Sequence, residues 1–295
     1  MSFHIWTDTS ANLPAAYIRE HGIGIVPFSY YIDGRELTCT NTEAFDGDTF
    51  YDSIRSGMKV TTSMINTDRY EKCFRGALEA GEDLVYVGMS SGISGSCGCA
   101  EGVADRLRAE FPDRVIITVD TLGASLGEGF LVMLAAELRD RGFSAEETGA
   151  VLEDRKGCMC QVFTVDDLMH LRSTGRLSNA AALIGTMMNL KPLLKGDTKG
   201  RIVAFRRVRG RRRSIEAMAE EYDRLVDNAA GQIIGIAQAG CRRDAEALCE
   251  LLRRNHPPRD ILTVEYEPVT GSHVGPGALA LFFFGSREFR GERTL

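Results

Sequence analysis

Polar and apolar positions along this chain follow two periods. Short apolar runs bounded by turn residues read as strands, and apolar positions recurring every three to four residues read as helices. In the first half "FHIWTD" is a strand. "SANLPAAYIREHG" is a short helix, opened by Ser10 as N-cap and closed at Gly22. "IGIVPFSYYID" is a strand or strand pair, and "NTEAFDGDTFYDSIRSG" is a helix with an acidic first turn. "VTTS" leads into the helix "NTDRYEKCFRGALEAG". The order then runs strand "DLVYVGMS", helix "GSCGCAEGVADRLRAEF", strand "RVIITVD" and helix "SLGEGFLVMLAAELRDRG". Strands alternating with helices of this length imply βαβ units and a parallel sheet.

The second half has a different rhythm. "EDRKGCMCQVFTVDDLMHLRSTGRLS" joins a strand to a helix that ends at Gly175. "SNAAALIGTMMNLKPLLKG" is rich in Leu, Met and Ile, and "RIVAFRRVRGRRRSIEAMAEEYDRLV" is a strand followed by a helix. "QIIGIAQAG" and "ILTVEYEPVTG" are strands around the helix "RRDAEALCELLRRN", and "HVGPGALALFFFG" ends in a buried strand. The change of pattern places a domain boundary between residues 140 and 165.

Size and charge narrow the class. A chain of 295 residues suggests two domains. Hydrophobic content of 44% and charged content of 26% are those of a globular protein in water. A net charge of −6 argues against nucleic acid as a partner. The eight cysteines do not read as a disulfide framework in a chain this long, and no secretory segment is expected. No apolar run approaches the ~20 residues that span a bilayer. The expected location is the cytoplasm, with reduced thiols and no integral membrane segment.

Candidate chemistry gathers in loops. "GMSSGISGSCGCAEG" holds four serines and five glycines where a strand hands over to a helix. Free N–H groups at that helix start, together with serine hydroxyls, suit an anion. The spacing fits neither the P-loop nor the dinucleotide fingerprint. Thr61, Thr62 and Ser63 precede the next such helix, where capping explains one hydroxyl of three. Asp8 and Asp120 follow strand ends, each beside a hydroxyl where a metal or phosphate site would place it, and capping is the preferred reading. His273 sits in a Gly/Pro-rich turn, placed to donate to a carboxylate. "CGC" and "CMC" are read as small buried residues, with no metal expected. "RRVRGRRR", Arg206 to Arg213, is either a solvated face or a docking patch for an acidic partner.

Taken in order, "TDTSANLP", "VTTS", "SSGISGS", "VDTLGASLGEG", "HLRSTGRLS" and "GSHVGPGALALFF" resemble the DegV family along almost the whole chain. The resemblance implies a fatty-acid-binding protein, the acyl-binding subunit of a bacterial fatty acid kinase. It implies an α/β fold: an N-terminal three-layer α/β/α domain with a parallel sheet over 1–155, and a C-terminal α/β domain with a mixed sheet over 156–295. The acyl chain would lie in an apolar tunnel between them. By the same resemblance, Thr62, Ser63, Ser94, Gly95 and His273 contact the fatty-acid carboxylate. Arg172 and Arg176 lie at the ligand mouth or on the face that docks the partner. That partner is an ATP-dependent kinase subunit, so this chain itself needs no cofactor and carries out no catalysis. Two departures flank the head-group site. The family's "TSQPS" reads "TSMIN" here, and its "LSGTYQSA" reads "ISGSCGCA". Two other functions fit the same loops: acyl transfer or hydrolysis with Ser94 as nucleophile and His273 as base, and binding of a phosphorylated small molecule.

Overall fold

The structure is a computed structural model that describes residues 3–179 and 189–295. It divides into two compact units, one of residues 1–45 and 61–156, the other of 46–60 and 157–295. The contiguous division at 155/156 expected from the sequence does not include the excursion of 46–60.

The first unit is built on a parallel sheet. Its strands are β1 (Phe3–Asp8), β2 (Gly24–Val26), β6 (Asp83–Gly88) and β7 (Ile116–Asp120), in the order β2-β1-β6-β7. Residues Leu84 to Gly88 are all buried. Side chains alternate between the two faces of a strand, so both faces of the sheet are covered. Helix α3 (Thr67–Glu79) packs on α4 (Ser96–Glu110), and α5 (Leu126–Asp140) packs on α6 (Ala145–Arg155). A small second sheet holds β3 (Ser29–Ile32), β4 (Arg35–Leu37) and β5 (Val60–Ser63), in the order β4-β3-β5. Helix α1 is shorter than expected, Ala15–Glu20, and its cap position is Pro14. Ser10 instead lies in a 3-10 turn, Thr9–Ala11, capped by Asp8. Proline at residue 14 explains the late start, because it disfavours helical φ/ψ at the residue before it. Helix α6 shows a capping box between Ser144 and Glu147, a signal present in the sequence as S-x-x-E.

Helix α2 (Gly47–Arg55) belongs to the second unit. Tyr51, wholly buried, donates from its hydroxyl to the Tyr266 carbonyl at 2.6 Å. The second unit's sheet contains β8 (Met159–Thr164), β9 (Leu190–Gly196), β10 (Ile202–Arg209), β11 (Ile233–Gln238), β12 (Asp260–Glu265) and β13 (Leu279–Phe284). Their order is β10-β9-β8-β13-β11-β12; every neighbouring pair is antiparallel except β11 and β12. Helices α8 (Arg211–Leu225) and α9 (Arg242–Asn255) cover it, enclosing Val162, Leu193, Ile236, Leu281 and Phe283 with Met218, Tyr222 and Leu248. Helix α7 (Leu168–Ser173) follows β8. His273 lies in the last turn of α10 (Pro268–Val274), a helix where the sequence suggested a strand running into a turn. The apolar segment "AAALIGTMM", 180–188, lies outside the described residues. Among the described residues no helix is long and apolar enough to cross a membrane.

Candidate functional site

Three loops leave the carboxyl ends of β1, β6 and β7, the edge where open α/β sheets bind ligands. The β6 and β7 loops are fastened to each other. Ser90 N donates to Gly123 O at 2.8 Å, and Thr121 Oγ1 donates to Gly88 O at 2.8 Å. Asp120 accepts from Ser91 N at 3.1 Å, from Ser91 Oγ at 2.5 Å and from Leu122 N at 3.1 Å. It therefore clips two loops together and does not cap α5, whose N-cap is Ser125. Leu122 and Ser125 take φ of +55° and +53°, a backbone strain on the order of 1 kcal/mol each. Asp8 does cap, accepting from Ser10 N at 2.8 Å, and it also accepts from Met89 N at 3.2 Å.

The serine-rich loop closes on α4. Gly95 is the N-cap residue. The helix's first internal bond runs from Cys99 N to Gly95 O, so the N–H groups of its first turn have no partner within the helix. Ser94 Oγ donates to Ser96 Oγ at 3.0 Å and accepts from Ser96 N at 3.2 Å. Ser96, wholly buried, accepts from Ile65 N at 3.1 Å. Ile65 follows β5, which carries a half-buried Thr62 and an exposed Ser63. Ser63 Oγ is 3.4 Å from Tyr31 Oη. A Cβ on Gly95 would stand 3.1 Å from Met64 Sδ. The two hydroxyl-bearing turns picked out from the sequence are thus tied together through Ser96. Its neighbour Cys97 is buried, which pushes its thiol up to about 12.

The second unit holds the other sequence candidates. Half-buried His273 is held near pKa 4 by burial first, and then by the charges of Arg176 and His170, so its ring is neutral at pH 7. His170 Nε2 donates to Ser272 O at 2.7 Å. Gly275 follows with φ of +81°, and a Cβ there would lie 2.7 Å from the His170 ring. Arg176, half-buried, bonds the Thr174 carbonyl. Arg172 is exposed, and its guanidinium makes no hydrogen bond to the described residues. The basic run is largely self-neutralised. Arg206 and Arg213 pair with Glu220, Arg212 with Glu216, and Arg211 with Asp244. Of the two C-x-C pairs, Cys97 and Cys160 are buried, and Cys99 and Cys158 partly so.

The family profile described as "Uncharacterised protein, DegV family" matches residues 2–286. The chain belongs to the DegV family. A DegV domain-containing protein of Clostridium perfringens is 34% identical over 283 residues, covering 96% of this chain and 97% of that one. A fatty-acid-binding DegV family protein from Thermus thermophilus superposes with a TM-score of 0.87 at 28% identity, covering 97% of this chain and 100% of its own. DegV of Bacillus subtilis, a fatty acid binding protein, superposes at 0.84 with 26% identity, over 97% and 100% of the two chains. The α/β fold, with its parallel four-stranded and mixed six-stranded sheets, is the DegV fold.

Proposed function

We propose that this chain is a cytoplasmic carrier that binds a long-chain fatty acid and presents its carboxylate to an ATP-dependent kinase subunit, which forms the acyl phosphate. The observation that carries the binding step is the tie from Ile65 through Ser96 to Ser94 at the start of α4. It gathers hydroxyls and free N–H groups at the positive end of a 15-residue helix, which suits one carboxylate. Two DegV relatives above 25% identity that bind fatty acids support the same ligand. Thr62, Ser63, Ser94 and Gly95 are the proposed head-group contacts in the first unit, and neutral His273 is a proposed donor in the second. The tail would contribute about 0.8 kcal/mol per buried CH₂, so most of the affinity belongs to it.

Arg172, exposed and without a hydrogen bond to the described residues, is the proposed contact for the kinase subunit. Arg176 lies close enough to His273 to depress its pKa, which favours a place beside the ligand. The acyl-transfer reading needs a general base on the Ser94 hydroxyl, and among the described residues that hydroxyl bonds only the hydroxyl and N–H of Ser96, neither of which is a base. Native mass spectrometry of the protein purified from cells, with displacement of a fluorescent fatty acid by palmitate and oleate, tests the binding. A bound acyl mass and displacement are expected. Neither acyl mass nor displacement, or displacement by sugar phosphates alone, overturns it.

A further inference from the structure

A buried acid pair underlies the loop that carries Ser94. Asp8 ends β1 and Glu128 lies in the first turn of α5; both are 0% exposed. Ser10 stands between them, its Oγ 2.5 Å from Asp8 Oδ1 and 2.5 Å from Glu128 Oε2. A serine hydroxyl carries one hydrogen, so it donates to only one of these oxygens. The other contact, at the distance of a strong O–H···O bond, requires a hydrogen from the carboxyl itself.

The remaining partners decide which carboxyl holds that hydrogen. Asp8 accepts from Ser10 N at 2.8 Å, Tyr86 Oη at 3.0 Å and Met89 N at 3.2 Å, besides Ser10 Oγ. That set of donors belongs to a carboxylate. Glu128 Oε1 accepts from Thr7 Oγ1 at 3.0 Å, its Oε2 faces Ser10, and its carboxyl also lies within hydrogen-bonding reach of Asp8, so it has fewer N–H and O–H donors than Asp8. The hydrogen therefore lies on Glu128 Oε2, and the chain runs Glu128 to Ser10 to Asp8. The ionisable neighbours are Tyr86 on β6, Tyr70 on α3, 2.9 Å from Tyr86 through its hydroxyl, and Cys97 on α4. All three are raised by burial and stay neutral. Among the described residues, neither carboxyl is in an ion pair. Burial raises both carboxyls; the donors on Asp8 oppose its rise, and burial followed by the nearby Asp8 charge raises Glu128 well above the ordinary carboxyl range, in agreement with the hydrogen-bond count. Gly129 permits the approach, since a Cβ there would lie 2.5 Å from Ala11 O.

We propose that Glu128 is a positioning residue that works in its protonated form: through Ser10 it holds the Asp8 carboxylate against the Met89 N–H, and so sets the loop that presents Ser94. This rests on the reading of Ser94 as a contact for the fatty-acid carboxylate. A single buried negative charge anchors the loop. A second would break the link to Ser10 and set another anion behind an anion-binding turn.

Glu128→Gln is the discriminating variant. Its amide can accept from Thr7 and donate to Ser10 as the protonated acid does, and it cannot ionise. With side-chain ¹³C-labelled glutamate, the resonance missing from Glu128→Gln is expected at the shift of a protonated carboxyl at pH 7. Glu128→Gln is expected to bind oleate within two-fold of the parent, with the Met89 and Ser94 amide resonances in place. Ser10→Ala is expected to move both amides and weaken binding about tenfold. An ionised Glu128 resonance at pH 7 overturns the proposal. So does a Glu128→Gln chain that fails to fold or binds as poorly as Ser10→Ala, and so does a Ser10→Ala chain whose Met89 amide does not move. A parent chain that binds no fatty acid sinks the ligand reading alone, and the carboxyl and amide resonances still decide the role of Glu128.

Discussion

The Ile65 N–H donates to the Ser96 hydroxyl at 3.1 Å, across 31 residues of sequence. Where Ile65 stands, the family pattern "TSQPS" has proline, which has no N–H to donate. Ser96→Ala is expected to leave the buried Ile65 N–H without a partner, at a cost of about 1–3 kcal/mol. Ile65→Pro removes the donor itself, so no N–H is left unsatisfied, and it is expected to cost less. Urea midpoints of the two variants check the order; a larger loss for Ile65→Pro would mean that the tie is secondary.

Ser94→Ala and Thr62→Ala are expected to weaken fatty-acid binding by about 1–3 kcal/mol each, the cost of leaving a carboxylate short of a donor. The loss should be independent of chain length, because the tail contacts are untouched. Displacement titrations with acids of different length read this directly. Unchanged affinity in both variants would place the head group elsewhere.

Acid should destabilise the fold through His273. Its pKa is held near 4 in the folded chain against 6.5 for the free side chain. The unfolded chain therefore binds a proton first as pH falls, and stability is lost from about pH 6.5 down towards pH 4. The slope from this group is at most about 1.4 kcal/mol per pH unit. Thermal melts of the parent and of His273→Gln between pH 7 and 4.5 should diverge, the parent falling faster. Parallel curves would contradict a buried neutral ring.

Gly275→Ala is expected to destabilise by about 1–3 kcal/mol. The position holds φ of +81°, and the new methyl would meet the His170 ring at 2.7 Å. Pairing it with His170→Ala should recover the steric part of the loss and leave the backbone part, which a double-mutant cycle in urea would separate.

Periodicity alone made most elements of the fold legible. Strand "DLVYVG" and the helix after it are local patterns, and the structure has them at Asp83–Gly88 and Ser96–Glu110. The serine loop was readable as a helix start because capping chemistry is also local. The errors fall where local signals compete. Ser10 looks like a helix cap, yet Pro14 sets the start of α1 and leaves Ser10 to a 3-10 turn. "PVTGSHV" looks like strand and turn, yet Glu267 caps it as a helix, accepting from Val269 N and Thr270 N.

By itself, then, the sequence determined the alternation of strands and helices, the change of pattern near mid-chain, the hydroxyl-rich loops and, through their order, the DegV family. These are properties of neighbouring residues, whose spacing and side-chain chemistry act over one or two turns. Only the tertiary structure decided that residues 46–60 fold with the second unit, that Ser96 joins the two hydroxyl turns, and that four arginines of the basic run pair with carboxylates of α8 and α9. It alone brought Ser10 to Glu128, 118 residues away. Such pairings form because buried polar groups must find partners wherever packing brings them together, and sequence spacing does not encode which partner that is.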